Sequence, residues 1–294
     1  VIKNCEVRNW YQNIYIQSGS NISIVNVTSY SAVSNAYDVL EFLYVDNATV
    51  KDSTFKSETD NNNVDIRNSN NITLENLEIG NNTYLRIKEN SNHVLIKNSY
   101  LSGPGGDLDI LESNDTEVIN CTISGKSTGI YIYNSNYTNV TFTSIFDSSN
   151  YDYYLSGADA VNFFTDTNFS DFRKVRFDDT TSWFIYRDVI DNIWLKTRVS
   201  ADYTVLTRKI TSWNKTRVSW IDKADSAVTV YYNLTGLIPD QKYYIYDGNT
   251  LVDTKTADSK GNLQFSLSID TSEHVIVVNT SSYCRPITTS GTYY

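Results

Sequence analysis

The sequence predicts an all-β protein. A parallel β-helix is expected over residues 1–157, followed by an antiparallel β-sandwich over 158–282 and a short polar tail over 283–294. Three observations point there. One short phrase returns at a near-constant interval through the first half. Apolar residues in that half alternate with polar ones at a period of two, as in strands with one face in and one face out. In the second half the repeat fades, yet short β-branched and aromatic runs persist between turn signals.

The phrase reads IKNCEV from Ile2, ISIVNV from Ile22, ATVKDS from Ala48, ITLENL from Ile72, VLIKNS from Val94 and TEVINC from Thr116. Alignment puts Asn4, Asn26, Asp52, Asn76, Asn98 and Asn120 in one column, with steps of 22, 26, 24, 22 and 22 residues. A weaker copy, VTFTS, puts Ser144 next in that column. A period of this length, built of short strands, is that of a stacked coil. Coils stack at the ordinary strand spacing of about 4.8 Å, so like residues fall on like residues. Asn tolerates the left-handed backbone of a tight corner, and its amide bonds to amides above and below. The column reads as a buried structural ladder rather than a ligand site.

A second strand follows in every coil. Its inward pairs are Ile14/Ile16, Leu40/Phe42, Val64/Ile66, Leu85/Ile87, Leu108/Ile110 and Ile130/Ile132. Its outward column is Tyr15, Glu41, Asp65, Arg86, Asp109, Tyr131, and two residues on lies Gln17, Leu43, Arg67, Lys88, Leu111, Tyr133. Alternating charge on adjacent coils reads as a surface charge ladder, worth a few tenths of a kcal/mol per pair. GPGG at 103–106 reads as the variable turn of a coil.

The stretch 151–157 reads as a terminating strand and turn, and from about Asp159 the period is lost. Nine strand-like runs follow, at 174–177, 183–186, 193–199, 204–210, 217–221, 228–234, 242–246, 263–269 and 274–278. Asp247-Gly248, Lys260-Gly261-Asn262 and Pro239-Asp240 supply turns between them. Short strands at such intervals argue an antiparallel sandwich.

The composition excludes several classes. With 20% charged and 40% hydrophobic residues the chain has the makings of a core. A net charge of -10 opposes binding to nucleic acid or anionic membranes. No apolar run approaches the roughly 18 residues that span a bilayer. Val1 and Ile2 already read as the inside of a coil, so the chain is expected to be processed or cut from a longer one, or to be covered by another subunit. Cys5, Cys121 and Cys284 fit neither a disulfide scaffold nor a zinc motif. Cys5 and Cys121 share a column five coils apart, roughly 24 Å, too far for a disulfide. Both thiols are expected to face inward. Cys284, in the tail, is a candidate for an intersubunit disulfide with Cys5 of a neighbouring copy.

Thirteen N-x-[ST] sequons occur. Two, at Asn26 and Asn120, sit in the ladder and are expected to be buried and bare. The glycosylation candidates are Asn21, Asn47, Asn71, Asn81, Asn114, Asn136, Asn139, Asn168, Asn214, Asn233 and Asn279.

The phrases IKNCEV, ITLENLEIG, VLIKNSYLSG and EVINCTISG resemble the right-handed parallel β-helix repeats of NosD-like and pectate-lyase-like proteins. NLTGLIPDQKYYIYDG at 233–248 resembles the L-x-P-x-x-x-Y stretch of fibronectin-type modules, with Tyr243 or Tyr244 placed for a tyrosine-corner hydrogen bond. With NFSDFRKVRFDDTTSWFIY, NIWLKTRVSA and LTRKITSW, the second half is similar to the C-terminal modules of archaeal cell-surface proteins, many from methanogens. The resemblance implies an extracellular component of a surface layer, sheath or filament; the sequons are expected to carry glycans, and the open first coil is expected to be covered by another copy of the chain. It supplies no catalytic set.

The residues themselves offer little chemistry. No motif implies a cofactor, no set of ligands implies a metal, and Asp107-x-Asp109 alone is a weak Ca²⁺ pattern. His93 reads as an exposed turn residue and His274 opens a late strand, neither with a catalytic partner by motif. The enzymatic alternative is a polysaccharide lyase or hydrolase using Glu41, Asp65, Arg86 and Asp109 on the outward face. A third reading is a carbohydrate-binding adhesin, with Tyr131, Tyr133, Tyr151, Tyr153 and Tyr154 offering rings to a sugar.

Overall fold

A computed structural model of the protein describes residues 1–32, 38–105, 107–157 and 162–282, with backbone alone at 60–62. The tail 283–294, and with it Cys284, lies outside the described residues. The alternating phrases form three parallel strand stacks, giving a β-solenoid of about eight turns. In the first stack Asn70–Glu75 lies between Asp46–Lys51 and Asn92–Lys97. In the second, Tyr100–Ser102 lies between Glu78–Lys88 and Thr122–Ser124. In the third, Leu108–Leu111 lies between Glu78–Lys88 and Thr128–Tyr133. Register follows the sequence step, with Ile72 beside Val94 and Leu74 beside Ile96. Period-two alternation sends Leu40, Phe42, Val64, Ile66, Leu85, Ile87, Leu108, Ile110, Ile130 and Ile132 into the interior, all fully buried.

The asparagine ladder is not buried. Asn4, Asn26, Asp52, Asn76, Asn98 and Asn120 all have φ between 50° and 54°, and all six are exposed on an outer corner. Amide contacts join them in pairs, Asn26 to Asn4 at 3.0 Å, Asn76 to Asp52 at 2.9 Å and Asn120 to Asn98 at 2.8 Å. Their left-handed backbone turns the chain while the side chain projects outward, which is why Asn and Asp suit the position. Asn26 and Asn120 are therefore exposed, contrary to expectation. The column's next member is Phe142, at φ 49°, and not Ser144, which pairs with Thr122 in the following strand.

The buried polar ladder is made of serine. The Ser69 N–H donates to Ser91 Oγ at 3.1 Å, the Ser91 N–H to Ser113 Oγ at 3.2 Å and the Ser113 N–H to Ser135 Oγ at 3.0 Å. The hydroxyls donate in turn to carbonyls, Ser91 to Ile66 at 3.0 Å and Ser135 to Ile110 at 3.1 Å. All four serines are fully buried. They satisfy corner amides that no strand partner reaches.

Parallel stacking runs past Gly157, so the expected loss of period near Asp159 is corrected. Tyr153 lies beside Val175 and Phe163 beside Ile185, each 22 residues on. The step survives while the interior changes chemistry. Tyr153, Phe164, Phe169 and Phe184 replace the aliphatic filling, with Phe164 stacked on Phe184 at 4.5 Å and Tyr153 on Phe169 at 5.6 Å. A search for the Ile/Val phrase misses coils filled by rings.

The last parallel strands carry antiparallel partners on their free edges. Phe184–Arg187 pairs with Trp194–Val199, which pairs with Val228–Thr235 and then Leu263–Ile269. Arg173–Phe177 pairs with Thr204–Asn214, and that ladder continues through Arg217–Ala224, His274–Asn279, Lys242–Asp247 and Thr250–Thr256. Each of the nine runs read from sequence contains a strand. The tenth, Thr250–Thr256, is polar and mostly exposed, so it carries no alternation to detect. Arg208 and Asp222, both fully buried, form a two-pronged ion pair at 2.7 Å on each prong. Arg208 also reaches Thr197 at 2.7 Å, and the Tyr232 hydroxyl donates to Asp222 at 2.8 Å, so the cluster ties the two ladders together. Tyr243, rather than Tyr244, makes the corner contact, accepting the Ile238 N–H at 3.1 Å and donating to the Lys215 carbonyl at 2.6 Å.

Substitutions at two positions separate the inner and outer ladders. Ser91→Ala strands the buried Ser69 N–H and is expected to cost about 1–3 kcal/mol in urea unfolding. Asn76→Gly, which accepts the same φ, is expected to be nearly neutral, whereas Asn76→Val costs about 1–2 kcal/mol.

Candidate functional site

The outward face of the third strand stack gathers most of the residues singled out from sequence. Its central column runs Tyr15, Glu41, Asp65, Arg86, Asp109, Tyr131, and continues through Tyr154 to Arg176. Beside it run Gln17, Leu43, Arg67, Lys88, Leu111 and Tyr133. One end of this face is acidic and basic, the other aromatic.

At the first end a register shift between Asp38 and Leu40 brings Asp38 to the same side as Glu41, although an uninterrupted strand places residues three apart on opposite faces. Sequence alternation therefore missed Asp38. Oxygens of Asp38, Glu41 and Asp65 lie within 4.8 Å of one another, a spacing at which carboxylates can share a cation. Protein cations already stand there. Lys88 Nζ lies 2.8 Å from Asp65, and Arg67 lies 3.4 Å from Glu41 while its other nitrogen lies 2.7 Å from Glu89. Asn63 donates to Asp38 at 2.8 Å, and Gln12 donates to Glu41. Arg86 bonds Asp109 at 3.2 Å and lies 4.2 Å over the Tyr84 ring. Glu41, Asp65, Arg86 and Asp109 do share one face, but Asp65 and Asp109 are only 3% and 7% exposed. This is a largely buried charge network and not the solvated ladder expected.

Burial sets the acidities. It pushes the Asp38 carboxyl up to about 7, helped by the charge of Asp65. It pushes Asp109 up to about 6, with Asp107 adding to the effect and Arg86 opposing it. Asp65 is raised by burial against the pull of Lys88. Lys126, wholly buried with its ammonium on the carbonyls of Thr83 and Gly105, is lowered by burial to about 8.

At the other end Tyr131 and Tyr154 lie 4.5 Å apart, with Tyr151 edge-on to Tyr154 at 5.8 Å. Arg176 lies over Tyr151, Tyr154 and Tyr203 at 5.4, 5.5 and 5.3 Å. Tyr133 lies 6.3 Å from Tyr131. Tyr153 does not belong to this group, since it faces the interior and is fully buried. Burial raises the Tyr131 hydroxyl to about 12.

The other candidates scatter. His93 is an exposed corner residue at φ 55°, 3.5 Å from Asp115. His274 bridges Asp247 at 2.7 Å and Asp270 at 3.2 Å; burial opposes the charged imidazole, but the bonds and charges of Asp247 and Asp270 together outweigh it and hold the imidazole above its ordinary range. Cys121 is buried as expected, but Cys5 is exposed, because the first coil has no described coil beneath it. Among the sequons, Asn21, Asn47, Asn71, Asn81 and Asn214 are exposed. Asn139, Asn233 and Asn279 are half-buried. Asn168 bonds both ends of its amide to the Ile145 backbone. Asn114 and Asn136 belong to a second outer-corner ladder, in which the Asn114 N–H donates to Asn92 and the Asn136 N–H to Asn114, both at 2.9 Å. That ladder was visible in the sequence as Asn70, Asn92, Asn114 and Asn136, each 22 residues apart.

No family model and no curated protein matches the chain. Among solved structures, ORF18 of Geobacillus virus E2 is similar at 9% identity and a TM-score of 0.31, over 94% of this chain and 68% of that one. That likeness is too distant to support an inference about this chain.

The raised acidity of Asp38 makes a signed prediction. Its proton is held more tightly in the folded chain than at the unfolded value of about 3.9, so its contribution is full below pH 4 and is lost as pH rises through 7. Asp38→Asn keeps the acceptor for Asn63 and removes the charge. Melting curves should show the variant gaining on the parent between pH 4 and pH 8; a pH-independent difference would assign the effect to packing instead.

Proposed function

We propose that the chain is a structural, self-associating component of an extracellular assembly such as a surface layer, sheath or filament, and not an enzyme. The observation that carries this reading is how the outward charges are engaged. Arg67, Lys88, Arg86 and Lys97 each bond a carboxylate, and Lys88–Asp65, Arg86–Asp109 and Lys97–Glu75 each join adjacent coils. Charges paired along the axis stiffen a rod, and a catalytic acid or base needs one left free to move a proton. We read the two antiparallel ladders as the sheets of a sandwich that closes one end of the rod. The archaeal and envelope parts of the proposal rest on the sequence resemblance. The sequons at Asn21, Asn26, Asn47, Asn71, Asn81, Asn120 and Asn214, all exposed, are the ones fit to carry glycans. No helix among the described residues is long and apolar enough to cross a membrane.

The second reading, a carbohydrate-binding adhesin, is favoured by the Tyr131–Tyr154 pair beneath Arg176, which offers partly exposed rings on a rigid face.

Electron microscopy of the purified chain is expected to show rods or sheets that grow with concentration, and acidic and neutral polysaccharides are expected to remain uncleaved with or without Ca²⁺. Turnover that disappears in Arg86→Ala would replace this proposal with the lyase or hydrolase reading. On a glycan array, one tight ligand lost in Tyr131→Ala would favour the adhesin.

A further inference from the structure

We propose that the cleft formed by Trp183, Arg198 and Tyr231 binds a saccharide that carries a carboxylate. The site lies on the antiparallel part of the chain, away from the solenoid face, and goes beyond the scaffold reading.

The charge pattern is the first argument. The four strands Phe184–Arg187, Trp194–Val199, Val228–Thr235 and Leu263–Ile269 contain no Asp or Glu, but they do contain Arg187, Lys196 and Arg198. This basic sheet sits on a chain of net charge -10. On the outside of the solenoid, Arg67, Arg86, Lys88 and Lys97 each meet a carboxylate. Here Arg198 has no hydrogen-bond or ion-pair partner among the described residues, and its Nε is buried and unanswered. The terminal nitrogens of Arg198, on a side chain that lines the cleft, are the donors open to a ligand carboxylate.

The second argument is preorganisation. The Arg198 guanidinium lies 5.1 Å over the Trp183 ring and 4.9 Å over the Tyr231 ring. Register places Arg198 beside Tyr231 and Tyr231 beside Ser266, so three neighbouring strands hold the row. A planar fork pinned between two rings loses little freedom on accepting a carboxylate in two-pronged fashion.

The third argument separates a sugar from a bare anion. In the adjacent row Asn233 lies between Lys196 and Gln264. Asn233, Gln264 and Ser266 line the same cleft with amide and hydroxyl groups that can pair with sugar hydroxyls, which a bare anion lacks. A carboxylate for Arg198 and a hydroxyl for Asn233, beside the partly exposed Tyr231 ring that can cover C–H faces, are the parts of an acidic sugar. The cleft holds about 460 Å³ and Lys255 stands at its edge. That is the scale of a small-ligand site and too small for a macromolecular surface.

The test uses matched pairs of probes with the full chain. Sialyllactose is compared with lactose, a hyaluronan tetrasaccharide with chitotetraose, and sodium sulfate serves as the bare anion. Calorimetry and tryptophan fluorescence report binding. At least one carboxylated saccharide is expected to bind ten times more tightly than its neutral partner and than sulfate. Arg198→Gln should weaken it tenfold or more, Arg198→Lys should restore only part of that, and Tyr131→Ala should change nothing. Tyr231→Ser, at an exposed ring, gives an independent loss should Arg198→Gln fold poorly. The proposal fails if neither acidic saccharide binds at millimolar concentration, if sulfate binds as well, or if binding survives Tyr231→Ser and the folded Arg198 variants.

Discussion

The corner of the coil is the constraint on which the rest of the structure depends. A chain that turns back on itself every 22 to 26 residues must place a residue in the left-handed region at each turn and satisfy the amides that the turn removes from the strands. Asn and Asp supply the first requirement on the outside, at φ near 50°. Ser69, Ser91, Ser113 and Ser135 supply the second on the inside. Each serine accepts an N–H from the coil before it, so a slipped register would leave these corner amides without their acceptors. The apolar pairs then fall on one another without further instruction.

A fixed register also decides the electrostatics. Side chains on the outer face repeat every coil, so a carboxylate meets whatever stands one coil away. At Asp65 and Lys88 that neighbourhood yields a contact of 2.8 Å, and at Arg86 and Asp109 one of 3.2 Å. Where the antiparallel strands take over, the repeat no longer supplies a partner. Arg208 meets Asp222 in the interior, while Arg198, on the other face of its sheet, meets only rings. The contrast between matched and unmatched cations is thus a consequence of topology.

Much of the solenoid was legible. The column Tyr15, Glu41, Asp65, Arg86, Asp109, Tyr131 follows from counting, because a parallel stack converts sequence interval directly into contact. The legible part fails where interval and chemistry separate. Asp38 reached the same face through a one-residue shift that no alternation rule anticipates. The coils beyond Gly157 kept the step but exchanged aliphatic filling for Tyr153, Phe164 and Phe184. The Asn column was located correctly along the chain and wrongly in depth, since left-handed Asn suits a corner from either side.

The sequence by itself determined the all-β class, the coil period, which apolar residues face inward and which charged residues share a column. Each of these depends on near-neighbour geometry, the two-residue pleat and the coil length. Only the tertiary structure decided burial and partnership: that the serines and not the asparagines line the interior, that Cys5 is exposed while Cys121 is not, and that Arg198 stands between two rings without a carboxylate. Those depend on what lies across the fold, and a one-dimensional interval carries no record of depth once parallel stacking gives way to antiparallel pairing.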